Sequence, residues 1–131
     1  MENFVFLAGN VGADPEVRTT RNGSQVANFR IATSRPKRDS EGRILKDPKT
    51  GYRIEDTEWH RITAFNGQAR SAAAIRKGMK VTVQGRIHNT EWADATTGEM
   101  RYGYEIIAET ITFLTPPLKA IVAEVNDNQE A

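Results

Sequence analysis

No cysteine occurs among the 131 residues, which excludes disulfide scaffolds, thiolate metal sites, redox pairs and cysteine nucleophiles together, and suits a reducing cytosol. Histidine is nearly absent as well. The only two, His60 and His88, fall on separate predicted strands with no metal-spaced Asp or Glu beside them, so a metal centre lacks a ligand set. No glycine-rich phosphate loop with its lysine is present. Asp14 and Glu16 flank a proline in a turn, and Glu55, Asp56 and Glu58 adjoin a run of cations. These carboxylates read as solvated ion-pairing groups rather than an acid–base pair. The expectation is therefore a protein that is not an enzyme and needs no cofactor. Long apolar runs are missing too: Met1 to Gly12 is broken by Gly9 and Asn10 and has neither a basic flank nor a cleavage site. It reads as neither signal peptide nor membrane span. Charge of one sign is absent in bulk, because 18 Lys and Arg against 17 Asp and Glu leave +1. A uniform cationic coat for an acidic polymer is excluded.

What is present, 38% hydrophobic and 27% charged residues, fits one folded domain with a modest core. The near-neutral total hides a local excess. Arg35 to Arg53 holds seven cations (Arg35, Lys37, Arg38, Arg43, Lys46, Lys49 and Arg53) against Asp39, Glu41 and Asp47, for a net of +4. Glu55, Asp56 and Glu58 follow at once and give this segment a sharp boundary. Beyond Pro116, Lys119 stands against Glu124, Asp127 and Glu130, a net of −2. The domain is placed at residues 1–115, with 116–131 as an acidic tail in which Leu118, Ile121, Val122 and Val125 take the spacing of one helical face. A frayed tail is the alternative.

Aromatic and β-branched runs separated by turn signals dominate the first 114 residues. Strands are predicted over Phe4–Val11, Gln25–Ser34, Thr57–Asn66, Lys80–Trp92 and Arg101–Leu114, with an Asn22-Gly23 hairpin turn before the second. Gly67 to Lys77 is alanine-rich, with Asn66 as an N-cap and Gly78 as a stop, so a short helix is expected there. Arg35–Asp56 contains two breaker clusters and reads as a long exposed hairpin or loop. The fold class is all-β: a five-stranded OB-fold barrel with a short helix between strands 3 and 4 and an extended basic hairpin.

Strand alternation places Trp59, Arg61, Thr63 and Phe65 on one face of the third strand and His60, Ile62 and Ala64 on the other. Trp59 and Phe65 then stand about 20 Å apart along the strand, with a guanidinium between the rings. In the fourth strand Trp92 shares parity with Thr82, Gln84, Arg86 and His88, while Val81, Val83, Gly85 and Ile87 read as core. Flat rings that stack any base, next to cations that meet phosphates, are the chemistry of single-strand binding. Core or subunit-contact tryptophans, and a merely solvated arm, are the bland alternatives.

An ordered set of motifs then carries a resemblance over roughly Asn3 to Leu114. It includes Leu7-Ala8-Gly9-Asn10-Val11-Gly12, Asp14-Pro15-Glu16-Val17-Arg18, Val26-Ala27-Asn28-Phe29, Thr57-Glu58-Trp59-His60-Arg61 with Phe65, Arg76-Lys77-Gly78, Trp92 and Arg101-Tyr102. The sequence resembles the bacterial single-stranded DNA-binding proteins. That resemblance implies a cytoplasmic, nucleoid-associated homotetramer that holds single-stranded DNA without marked sequence preference in replication, recombination and repair. It implies stacking by Trp59, Phe65 and Trp92, and a subunit-contact position for His60. Phosphate contacts are expected from Arg35, Lys37, Arg38, Lys46, Lys49, Arg53, Arg61 and Arg86.

Three departures stand out. The family's aromatic after the second strand is replaced within Arg35-Pro36-Lys37-Arg38, leaving Tyr52 as a surrogate platform. The basic run before the last tryptophan is replaced by His88-Asn89-Thr90-Glu91. The family's long tail with the acidic tip that recruits replication and repair partners is not found up to Glu130-Ala131, as expected either of a natural short form or of a truncation, so recruitment through that tip is not assigned. An OB-fold protein-interaction module of primosome type, binding DNA weakly, is the alternative reading.

Overall fold

A computed structural model describes residues 1–115; the expected helical stripe at 118–125 lies outside them. Six strands are present: β1 (Val5–Val11), β2 (Glu16–Thr19), β3 (Gln25–Pro36), β4 (Glu55–Phe65), β5 (Lys80–Ala93) and β6 (Met100–Phe113). One helix, α1 (Gly67–Ala72), lies between β4 and β5. The strands are ordered β1-β5-β6-β4-β3-β2, and an additional β1–β3 pairing joins Asn10 to Ala32 and Val11 to Ile31. That contact, with the parallel β4–β6 pairing, closes β1, β5, β6, β4 and β3 into the expected five-stranded barrel. β2 is an addition to the predicted set. It is exposed along its whole length and carries a single aliphatic residue, Val17, so it has no alternation to betray it. It forms by pairing with β3 across the Asn22-Gly23 turn, where Gly23 adopts φ +87°.

The barrel interior is filled by Val11, Ala27, Phe29, Ile31, Ile62, Ala64, Val81, Val83, Ile106 and Ala108. These are the inward positions of alternating strands. α1 closes one end by burying Ala69 and Ala72, and Ile75 follows them into the core. The helix is shorter than the Gly67–Lys77 expected. After Ala72 the chain tightens into i→i+3 bonds, Ala74 to Ser71 and Ile75 to Ala72, which turn Ile75 inward. Asn66 makes no side-chain cap. Its amide oxygen instead accepts the Gln25 N–H at 3.2 Å, and its own N–H donates to the Gln25 carbonyl at 2.8 Å.

Between β3 and β4 the basic segment is an ordered arm. Leu45 donates to the Lys37 carbonyl, Ile54 to that of Leu45, and Lys37 to that of Ile54, so three short segments meet at one point. Each hairpin turn in the arm starts from an aspartate that accepts backbone N–H groups, Asp39 from Glu41 and Arg43, Asp47 from Lys49, and ends on a positive-φ glycine, Gly42 or Gly51. The Arg43 backbone N–H, with further donors from Glu41 and the Arg43 side chain, holds the Asp39 carboxyl below the usual carboxylate range. The β5–β6 turn repeats the device with Asp94 and Gly98.

The β5–β6 hairpin outgrows the barrel. Its register slips between Gln84 and Gly85, leaving Glu109 as the extra residue. At this bulge Gly85 lies against the Ile107 backbone so closely that a Cβ would collide with that carbonyl oxygen. Past it the hairpin runs into solvent, which corrects one expectation: Ile87, read as core, is 45% exposed. The bulge fixes where the hairpin departs. Gly85→Ala should cost about 1 to 3 kcal/mol by overpacking against backbone, read by urea denaturation. Gly67→Ala, which meets only the flexible end of Arg70, should be close to neutral; equal effects would contradict the bulge assignment.

Candidate nucleic-acid interface

The β3–β4 ladder pairs Val26 with Phe65, Asn28 with Thr63, Arg30 with Arg61, Ala32 with Trp59 and Ser34 with Thr57. Directly opposed residues share a face, so these five rungs lie on one side of the ladder, where Val26 and Thr63 are covered and Arg30, Trp59, Arg61 and Phe65 are exposed. Trp59 and Phe65 are 54% and 44% exposed, as the alternation predicted, while Ile62 and Ala64 on the opposite side are core. His60 is half-buried on that opposite side, with Nε2 2.8 Å from the Thr33 hydroxyl.

Side-chain hydrogen bonds tie this surface to the β5–β6 hairpin. The Thr63 hydroxyl donates to Glu105 Oε2 at 2.7 Å, and Glu105 Oε1 lies 3.2 Å from His88 Nδ1. Asn28 Oδ1 lies 3.0 Å from the same Thr63 oxygen. One hydroxyl has one proton, so with Thr63 donating to Glu105 the Asn28 amide is satisfied by presenting its NH2 instead. The chain Asn28–Thr63–Glu105–His88 crosses β3, β4, β6 and β5 and fixes the hairpin's orientation. Trp92, four residues beyond His88 on β5, shares its parity and is exposed.

Both tryptophans rest on glycine. A Cβ at Gly12 would run into the six-membered ring of Trp59, and one at Gly103 would come within 3.1 Å of the Trp92 ring. The rings lie across backbone that has no side chain to hold them off. Beside Trp59 a groove of about 710 Å³ is lined by Gly12, Asp14, Glu16, Arg18, Asn28, Arg30, Arg61 and Glu105, among others. The second depression, of about 440 Å³, lies between Phe65 and the Thr20–Ser24 turn.

Arg61 and Arg86 are exposed on the outer surface of their strands. Lys37, Arg38, Lys46 and Lys49 are exposed on the arm, and Tyr52 is 77% exposed at its outer turn. Arg53 lies 3.8 Å from Glu55, and Arg43 is paired with both Asp39 and Glu41. Arg35 is set apart from the others: it stands opposite Asp56, on the side of the ribbon away from Trp59. Sequence reading gave no site role to Gly12, Asn28, Arg30, Gly103 or Glu105, although Gly12, Asn28 and Glu105 stand among the residues that carry the family resemblance. Asn28 and Arg30 could have been found, because they are the polar alternates to Ala27, Phe29 and Ile31. The glycine seats and the Glu105 bridge had no such signal, since they join residues distant in the chain.

The description of the single-strand binding protein family matches residues 2–114. The chain belongs to that family. A single-stranded DNA-binding protein of Rhizobium meliloti (strain 1021) is 40% identical in an alignment 118 positions long that covers 86% of this chain and 63% of that protein. The chain therefore spans less than two thirds of that relative's length. A solved structure described as a Plasmodium falciparum SSB complex with ssDNA superposes with a TM-score of 0.68 at 27% identity, covering 88% of this chain and 96% of that one. For the single-strand binding fold seen here, the glycine seat under Trp59 is the feature most open to test. In a Trp92→Phe background, Gly12→Ala should push the Trp59 ring into solvent, shifting its emission to the red and raising quenching by acrylamide. An unchanged spectrum would show that the ring does not depend on the seat.

Proposed function

We propose that this protein binds single-stranded DNA without marked sequence preference, by stacking bases on Trp59, Phe65 and Trp92 and meeting phosphates with lysine and arginine. The observation that carries the reading is the exposure of Trp59, Arg61 and Phe65 on one side of β4, tied through the Asn28–Thr63–Glu105–His88 chain to the hairpin that carries the exposed Trp92. Leaving large rings in water on a polar strand face is costly unless a partner covers them. The family membership and the complex with ssDNA described for the Plasmodium relative support the same partner.

Mechanistically, each ring contributes about 1 to 3 kcal/mol per stacked base, with little preference among bases. Arg61, Arg86, Lys37, Arg38, Lys46 and Lys49 release counterions on meeting phosphates. Arg53 and Arg35, each beside a carboxylate, add to the field more than to direct contact, and Tyr52 offers an outlying platform. The arm is pre-shaped by its aspartate and glycine turns, so less ordering entropy opposes binding.

The protein is further proposed to act as a homotetramer in the cytoplasm during replication, recombination and repair, with His60 near a subunit contact. Supporting assembly, Phe4 and Phe6 are exposed beside the stretch of β1 from Val5 to Ala8 that pairs on one side only. No helix among the described residues is long and apolar enough to cross a membrane.

Titration with oligo-dT of increasing length, followed by tryptophan emission and sedimentation, tests the proposal. Emission should be quenched in stoichiometric steps, and Trp59→Ala should weaken binding by about one to two decades with the salt slope nearly intact. Neutralising Lys37, Arg38, Lys46 and Lys49 together should flatten that slope by up to about 0.7 for each phosphate no longer neutralised. Unchanged emission at modest salt would contradict strand binding and favour a protein-contacting module.

A further inference from the structure

One rung of the β3–β4 ladder is at odds with sheet stability. Arg30 stands directly opposite Arg61, both are exposed on the Trp59 face, and both line the same groove. Like charges opposed across an antiparallel pair destabilise it, because their Cβ atoms are held only about 5 Å apart. A carboxylate between them would resolve the conflict. Yet among the described residues neither guanidinium takes part in any ion pair within 4.0 Å. Of the groove's acids, Glu105 is held by Thr63 and His88 and Asp14 accepts the Lys77 backbone N–H at 2.8 Å, while Glu16, opposite Asn28 on the same face, makes no ion pair with either arginine. The two arginines thus face each other across the ladder with no carboxylate in ion-pair range among the described residues.

The complement of two adjacent guanidinium forks is an oxyanion with two free oxygens, one for each fork. A phosphodiester supplies those oxygens. We propose that Arg30 and Arg61 together clamp one backbone phosphate, next to the nucleotide whose base lies on Trp59 one rung away. This rests on the strand-binding reading above and adds to it a residue, Arg30, and a division of labour. The arm attracts the strand diffusely, whereas the clamp fixes one phosphate relative to one stacked base and so sets the register of the strand on the face. It also implies that the free protein carries a repulsion that the bound strand removes.

The test pairs DNA affinity with the stability of the free protein, because an ordinary solvated arginine would not move both in opposite directions. Arg30→Gln should lower the slope of log affinity for oligo-dT against log salt by about 0.7, a loss of about fivefold at 0.1 M salt. The same variant without DNA should melt about 1 to 4 °C higher. Arg61→Gln should behave alike. The double variant should be no more heat-stable than either single one, since removing one charge already abolishes the repulsion. Arg30→Lys should keep the slope. An unchanged slope in Arg30→Gln, or stability gains that simply add in the double variant, would overturn the clamp. If instead the unaltered protein fails to respond to oligo-dT, strand binding itself fails, and the thermal cycle alone reports whether the rung is repulsive.

Discussion

The register of β3 against β4 is the constraint on which the rest of the structure depends. Eleven consecutive pairs, from Val26 with Phe65 to Pro36 with Glu55, leave no slippage along the ladder. Side chains alternate faces with a period of two, so a one-residue slip of β4 against Phe29 and Ile31 of β3 would send Ile62 and Ala64 out to solvent and Trp59 and Arg61 into the core. The burial of those four apolar residues is thus the same event as the presentation of the aromatic and cationic face. Past the barrel's end the ladder continues as the stem of the arm, which connects the cations of 37–49 rigidly to the Trp59 surface.

The face is held by features that cost stability. Gly12 and Gly103 give up side-chain packing so that tryptophans lie across backbone, the Arg30–Arg61 rung sets like charges opposite each other, and three large rings stay in contact with water. Under the proposed function such choices become stabilising only when a strand is bound, and the barrel core supports them. The Thr63–Glu105–His88 chain has a different role. It commits a carboxylate to orientation, securing the long β5–β6 hairpin that carries Trp92.

Much of this is legible in the sequence. Alternation in Thr57–Phe65 separated Trp59, Arg61 and Phe65 from Ile62 and Ala64, because a strand with one buried face encodes its two faces directly. The closed five-stranded barrel followed from strand count and turn signals, and the +4 segment marked the arm. The residues that escaped did so for physical reasons. β2 lacks apolar alternation and exists only through β3. Ile87 kept core parity after the Gly85 bulge had carried the hairpin out of the barrel. The helix ended early because packing of Ile75 outweighed the helical preference of its alanines. Asn66 looked like a cap, yet its amide was taken by Gln25, a partner 41 positions away. Contacts of that range have no local signature.

The central claim is that one face, defined by the β3–β4 register and extended by the β5–β6 hairpin, receives the strand. Photocrosslinking of oligo-dT to the intact protein, followed by peptide mapping, addresses it most directly, because adducts form at side chains that stack on thymine. Adducts concentrated at Trp59, Phe65 and Trp92 are the predicted result. Adducts at Phe4 and Phe6, or confined to Tyr52, would place the strand on a different surface and contradict the account.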